Sequence, residues 1–429
     1  MIDPSFIVDN VSFIDLTSLN EDLIITSVFL SIFLLFLLKN VCLYYLTIFQ
    51  SKFISFATLD LTGKFFINYL DLDYKEFIKH NSSYYIRNVI ESIGSLFSLY
   101  FKSIIVIFTE LFVVIILLIV LFKLYAIGTI IFLVTFSLLS FFLYIINKNV
   151  LKKYGKNINT YFHKRLINLN HGFNSYQEIN ITNTNKFFSR IFIKNLRDIA
   201  ITSYKVEAVV QLPRLLLEVV GISMILAFLY LLNMDKSMSF NDILPSLSLF
   251  AISGLRMLPS ANRIISSFNR IKYSTPAIEI LVKEVERFHK NKKEESKQIN
   301  KSIDFKDSIK IKDLEFSYDE KNNIFENFKI DFKKGEFNVI FGPSGCGKTT
   351  LMNILLGFLK PSKGDILVDD KSILYNLHDW RSLMSFVPQE INLSDSDLMS
   401  NLAYGVNESE IDIKKINKVL EIVDLKEFV

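Results

Sequence analysis

The nine residues from Gly342 to Thr350 read Gly-Pro-Ser-Gly-Cys-Gly-Lys-Thr-Thr, which fits the spacing G-x-x-x-x-G-K-[ST]. An apolar run, Phe337–Phe341, precedes them, and a helix-compatible stretch follows. That context is the one in which such a run cradles phosphate. Gly342, Gly345 and Gly347 let backbone N–H groups turn toward phosphate oxygens, with Pro343, Ser344 and Cys346 completing the loop. A helix from Thr350 adds its positive dipole end. Lys348 is placed to reach the β- and γ-phosphates, and the Thr349 hydroxyl to ligate Mg²⁺. The expected ligand is ATP with Mg²⁺.

The elements that must hold this loop begin at residue 303, where the composition turns to that of a soluble α/β unit. Alternating runs in 308–333 predict strands, and "FNVIF" (337–341) predicts a buried strand feeding the loop. Upstream lies something different. Half of the 429 residues are hydrophobic, 40 are Phe, and mean hydropathy is +0.33. Five apolar segments, at about 23–49, 104–122, 124–146, 209–232 and 243–265, approach or exceed the ~20 residues that span a bilayer as a helix. The second and third follow one another with Lys123 between them, which reads as a transmembrane hairpin. Residues 1–282 are therefore expected to form an α-helical membrane domain whose long helices extend into the cytoplasm. Residues 283–302, dense in Lys and Glu, are expected to be a solvated linker, and 303–429 a nucleotide-binding domain.

Orientation follows from charge. The stretch 147–207 carries eleven Lys and Arg against three acids, and 50–103 is also rich in Lys and Arg. Both are expected in the cytoplasm, which places the acidic N-terminus outside and the phosphate loop inside, where ATP is. No positively charged run precedes the first apolar segment, so it is not a secretory signal. Net charge is only +4, which gives no footprint for nucleic acid. The two cysteines, Cys42 and Cys346, do not make a disulfide framework, as suits a reducing compartment around the C-terminal part.

Three further features carry a resemblance: Tyr318 about 25 positions before the loop, "LKPSKGDILVDDKSI" after it, and "FVPQ" ending at Gln389. Together with the loop they resemble the nucleotide-binding domain of ABC transporters, and with the five spans, the exporter subtype. The resemblance implies that Tyr318 stacks on adenine and that Gln389 joins Thr349 at Mg²⁺ and senses the γ-phosphate. It also implies a signature motif, an acidic strand end with the catalytic glutamate and a switch histidine. None of these precedes Val429, so no catalytic residue is assigned, and they are expected beyond Val429 or on another chain. An exporter half has six spans, so a first crossing is expected ahead of Met1, and the sequence reads as a fragment of a longer frame.

"GLRMLPSANRIISSFNRIKYSTPAIEIL", "LPRLLLEVVG" and "LDYKEFIKHNSS" look like the lipid-linked oligosaccharide and polysaccharide flippases. The expected partners are then a second subunit, forming a homodimer, the lipid bilayer of a bacterial inner membrane, and a lipid-linked saccharide. The residues offer a physical reading of the same cargo. Arg256, Arg263 and Arg270 are seven apart and so share one helix face, and Arg214 and Lys39 are cationic positions on other spans. Intramembrane charge usually faces a wet cavity or a partner. Arg214, Arg256 and Arg263 are the candidates for binding a pyrophosphate bidentately. The structural alternative is an ion pair for each: Glu218 follows Arg214 by one turn, and Glu110 is free to serve another arginine. A peptide or drug exporter, or a nucleotide-binding subunit that does not hydrolyse, are the rival functions.

Overall fold

The computed structural model describes residues 21–427 apart from 125, 235–239, 296–301, 319–322, 390 and 392. The acidic N-terminal stretch, most of the connection at 233–241, and the last part of the expected linker lie outside the described residues. The chain divides into two compact units, Met1–Ser296 and Lys297–Val429.

The first unit is helical. Its long elements are α1 (Glu21–Leu70), α4 (Lys102–Leu124), α5 (Ala126–Asn174), α7 (Asn185–Met234) and α8 (Phe240–Glu295). Short helices α2 (Tyr74–Phe77) and α6 (Tyr176–Ile181) lie in the turns between α1 and α4 and between α5 and α7. A third short helix, α3 (Ser82–Arg87), runs into α4 through two π-helical stretches, Asn88–Ser92 and Leu96–Phe101. Among the described residues, three stretches have the length and composition to cross a bilayer: Ile25–Leu70, Ser82–Lys123 and Leu133–Asn174. The expected spans at 209–232 and 243–265 fall within α7 and α8.

Outside the expected spans at 23–49 and 104–122, aromatic and ionic contacts hold the helices together. Phe65 and Tyr69 of α1 and Phe288 of α8 meet edge to face at 5.0–6.0 Å, and Tyr69 meets Tyr85 at 4.8 Å. The buried Asn88 donates to Tyr69 Oη at 3.0 Å and accepts from Arg87 Nη2 at 2.6 Å. Glu284, buried in α8, accepts from Tyr84 Oη at 2.8 Å and pairs with Arg287 at 3.5 Å. Arg287 also reaches the carboxylate of Glu76 at 3.3 Å, and Asn291 Nδ2 donates to Asp71 O at 2.8 Å. Burial and the positive Arg287 hold the His80 imidazole below its ordinary pKa.

These contacts correct the reading of residues 283–302 as a solvated tether. Residues 283–295 continue α8, and Leu281, Glu284 and Phe288 are buried along one face. The charged residues around them are the solvent side of an amphipathic helix end.

The second unit holds a four-stranded antiparallel sheet in the order β2-β1-β3-β4, formed by β1 (Ser308–Ser317), β2 (Asn323–Lys333), β3 (Lys363–Val368) and β4 (Lys371–Ser372). Ile309 faces Phe332 on one side and Val368 on the other. Ile311, Leu314, Phe316, Ile366 and Val368 are buried in its core. Asp369 and Asp370 turn the β3–β4 hairpin with positive φ, as short polar side chains tolerate. The Asp369 carboxylate accepts the N–H groups of Lys306, Asp307 and Ser308, which holds its pKa below the usual range.

The expected buried strand at 337–341 is not present as a strand. The segment is unpaired, and Phe337 and Phe341 are 93% and 90% exposed. A strand exists only through its neighbours, and among the described residues none pairs with this one.

One crossing in the first unit leaves no room for a side chain. A Cβ added at Gly155 of α5 would lie 2.0 Å from the carbonyl oxygen of Tyr273 and 3.3 Å from Pro276 Cδ on α8. Nearby, Leu151, Val206 and Val210 bury a three-helix contact with Tyr154 and Tyr273 packed against it. Gly155→Ala must push α5 and α8 apart against rigid backbone, at a cost of about 1–3 kcal/mol. A lowered thermal unfolding midpoint of the purified protein, with Gly172→Ala at an open position as control, is the expected result.

Candidate functional site

The phosphate loop is shaped by two glycines with left-handed backbone, Gly345 at φ +82° and Gly347 at φ +97°. A residue with a Cβ is strained there, and at Gly347 that atom would also lie 2.8 Å from Ile324 Cγ2 of β2. The loop thus backs onto the antiparallel sheet. Helix α9 (Lys348–Leu355) begins directly at the lysine, two residues earlier than expected from the sequence, with Gly347 at its N-cap.

Lys348 curls back on its own loop. Its ammonium donates to Gly342 O at 2.8 Å and Pro343 O at 2.9 Å, and lies 3.8 Å from Cys346 Sγ. Those carbonyls are neutral acceptors, and charged phosphate oxygens make stronger bonds to an ammonium. Thr349 is exposed and Thr350 buried. Tyr318, at the end of β1, brings its hydroxyl within 3.4 Å of Thr350 Oγ1 and packs its ring edge to face on Phe316 at 5.0 Å. An exposed aromatic therefore stands next to the loop. The donor set fits a nucleoside triphosphate: left-handed glycines, an ammonium held on neutral carbonyls, an open hydroxyl and an aromatic face. For Mg²⁺ it offers the Thr349 hydroxyl, a hard oxygen that suits the ion alongside phosphate oxygens and water. Gln389 is exposed, and no hydrogen bond joins it to Thr349 among the described residues. Residues 384–388 before it form no regular element and pair with no strand among the described residues.

Two residues that sequence reasoning passed over fix the other end of α9. Trp380 and Arg381 lie on α10 (Leu377–Ser382). Trp380, buried, donates its indole N–H to Leu355 O at 2.7 Å. Arg381 donates to Leu356 O at 3.2 Å and Gly357 O at 2.8 Å. The orphan carbonyls at the end of the helix are satisfied by side chains, one of them cationic and so favourable to the dipole. The only tryptophan in the chain was the available signal.

In the first unit, Arg256, Arg263 and Arg270 all lie on the exposed side of α8, while Met257, Ser260 and Ser267 are buried. Arg263 Nη1 contacts Glu110 Oε1 of α4 at 2.6 Å. Arg214 is exposed on α7, and no ion pair with Glu218 is made among the described residues. Arg256 likewise has no ion-pair partner among the described residues. Lys39 sits over the Phe36 ring at 4.9 Å.

Residues 325–429 match the family model described as ABC transporter. The matched stretch of a lacticin-481/lactococcin-DR transport/processing ATP-binding protein from Lactococcus lactis is 38% identical over 122 residues, 28% of this chain and 16% of that protein. An ATP-dependent lipid A-core flippase of Ralstonia nicotianae is 36% identical over 106 residues, 24% of this chain and 18% of the relative. The chain thus aligns with less than a fifth of the length of either relative. The solved structure of a bacterial Atm1-family ABC exporter with ATP bound superposes with a TM-score of 0.77 at 16% identity, covering 99% of this chain and 75% of that one. The region 325–429 thus matches the ABC transporter family model, and the chain as a whole shares the fold of a bacterial Atm1-family ABC exporter.

Proposed function

We propose that this chain belongs to one subunit of a homodimeric, ATP-hydrolysing exporter of the bacterial inner membrane, which flips a lipid-linked oligosaccharide or a related anionic lipid-linked cargo. One observation carries the reading: a phosphate loop and a set of apolar helices studded with arginines occur in a single chain. The cargo assignment rests on those arginines. The lipid A-core flippase and the lacticin-481/lactococcin-DR transporter align over 106 and 122 residues, about a quarter of the chain, and their names point to different cargoes. The former gives support to a lipid, the latter to the rival reading of a peptide or drug exporter.

In this reading Tyr318 presents its ring to adenine. Gly342–Thr350 turn N–H groups toward the phosphates, Lys348 exchanges the carbonyls of Gly342 and Pro343 for phosphate oxygens, and Thr349 and Gln389 orient Mg²⁺. Bound ATP supplies the free energy of phosphoryl transfer to water. Paired nucleotide-binding domains close on it, and the cytoplasmic loops pass that closure to the membrane helices. Arg214, Arg256 and Arg263 present guanidinium groups to the pyrophosphate, whose lipid tail stays in the bilayer.

Lys348→Ala in the full-length protein is expected to abolish ATP-dependent flipping of an isoprenoid pyrophosphate-linked saccharide in proteoliposomes; retained flipping sinks the mechanism. ATPase activity should rise with that lipid rather than with hydrophobic cations, the reverse favouring the rival. The exposed Cys346 beside Lys348 reports occupancy. Millimolar ATP with Mg²⁺ is expected to slow its alkylation by a maleimide at least about tenfold, since the loop closes around the phosphates. Equal labelling with and without ATP would show that the loop does not hold nucleotide.

A further inference from the structure

The ion pair between α4 and α8 is built unevenly. Glu110 and Arg263 touch at one point, Nη1 to Oε1 at 2.6 Å, with no second guanidinium–carboxylate bond. A guanidinium has five N–H donors, and no other partner of Arg263 occurs among the described residues. Burial is just as lopsided: the Glu110 side chain is 10% exposed and that of Arg263 is 53% exposed. The carboxylate is the seated half of the pair, and the guanidinium is the reachable half, with most of its fork open.

Charge makes this arrangement informative. Arg256 lies two turns before Arg263 on the same exposed side of α8, and it has no carboxylate partner among the described residues. An arginine at membrane depth does not face lipid, so this side of α8 faces water or a partner. There the pair leaves one guanidinium uncompensated and the other compensated by a single bond. An incoming oxyanion offers Arg263 two oxygens in the geometry its fork matches, against one from Glu110. A neutral headgroup offers no charge to replace the carboxylate and leaves the pair intact.

We propose that Glu110 is the resident counter-ion of the cargo site and one of its specificity-determining residues. It holds Arg263 by one N–H while the site is empty and gives up the guanidinium to a phosphate or pyrophosphate headgroup. Selectivity then comes from competition: a pyrophosphate, with more charge and more oxygens, outbids the carboxylate for Arg263 better than the single negative charge of a phosphodiester does, and a neutral headgroup does not compete. This inference rests on the anionic-cargo reading above.

The test uses the full-length protein in lipid nanodiscs, with farnesyl pyrophosphate as probe and farnesol as its neutral counterpart, reading the concentration that half-maximally stimulates ATPase. Glu110→Gln keeps the shape and removes the competitor, so it is expected to lower that concentration about tenfold. Arg263→Gln should raise it by a similar factor, and the double variant should follow Arg263→Gln. Glu110→Asp keeps the charge and should remain near wild type, which shows that the site tolerates substitution. If Glu110→Gln weakens the response as Arg263→Gln does, Glu110 is a brace for the arginine and the counter-ion role is overturned, while the anionic cargo stands. If farnesyl pyrophosphate fails to stimulate the unaltered protein, the anionic reading itself falls and the counter-ion role with it.

Discussion

A fifty-residue helix such as α1 is roughly 75 Å long, and the hydrocarbon core of a bilayer is only about 30 Å thick. Inside the membrane the backbone of such a helix is satisfied by itself, and the lipid asks only for apolar side chains. Outside it the same helix is a bare rod whose sides must find partners. That constraint explains where the first unit places its specific chemistry. The edge-to-face contacts of Phe65, Tyr69, Tyr85 and Phe288, the buried Asn88 and the charges of Glu76, Glu284 and Arg287 gather outside the expected spans at 23–49 and 104–122. Each contact joins segments remote in sequence. The end of α8, which runs on toward the second unit, is thereby tied to the turn after α1 through Asn291 and Asp71. Movement of one of these segments requires movement of the other.

What could be read from the sequence was whatever a short window determines. The phosphate loop needs only its own nine residues, and Gly345 and Gly347 take up the left-handed backbone there that glycine alone adopts without strain. Three of the described helices have the length and apolar composition to cross a membrane, a property that depends on composition and so is local. The failures share a cause, which is dependence on a distant neighbour. Residues 283–295 look like a tether because Lys and Glu dominate the count, yet Leu281, Glu284 and Phe288 fall on one face and are buried by α1 and α3. Trp380 and Arg381 finish α9 from some 25 positions downstream, and no local pattern announces that. The run at 337–341 has a strand's composition without a strand's partners, and the same holds for the stretch before Gln389. Phe337, Phe341 and Val387 are consequently exposed, which is the state of a β-segment that has no neighbour to cover it.

The two candidate sites share a device. Each holds a cation on an oxygen of the protein's own that can be exchanged for oxygens of a ligand. Lys348 rests on the neutral carbonyls of Gly342 and Pro343. Releasing them leaves two backbone acceptors in an exposed loop where water takes over, so little resists the arrival of phosphate. Arg263 rests on a carboxylate that is itself nearly buried. Releasing it strands a negative charge with poor access to water, and that is costly unless the ligand bond is stronger. A weak placeholder suits a loop that must accept and lose the same nucleotide at every turnover. In the proposed reading a strong one suits a site for a pyrophosphate headgroup, because there the cost of displacement becomes the discrimination against headgroups of less charge.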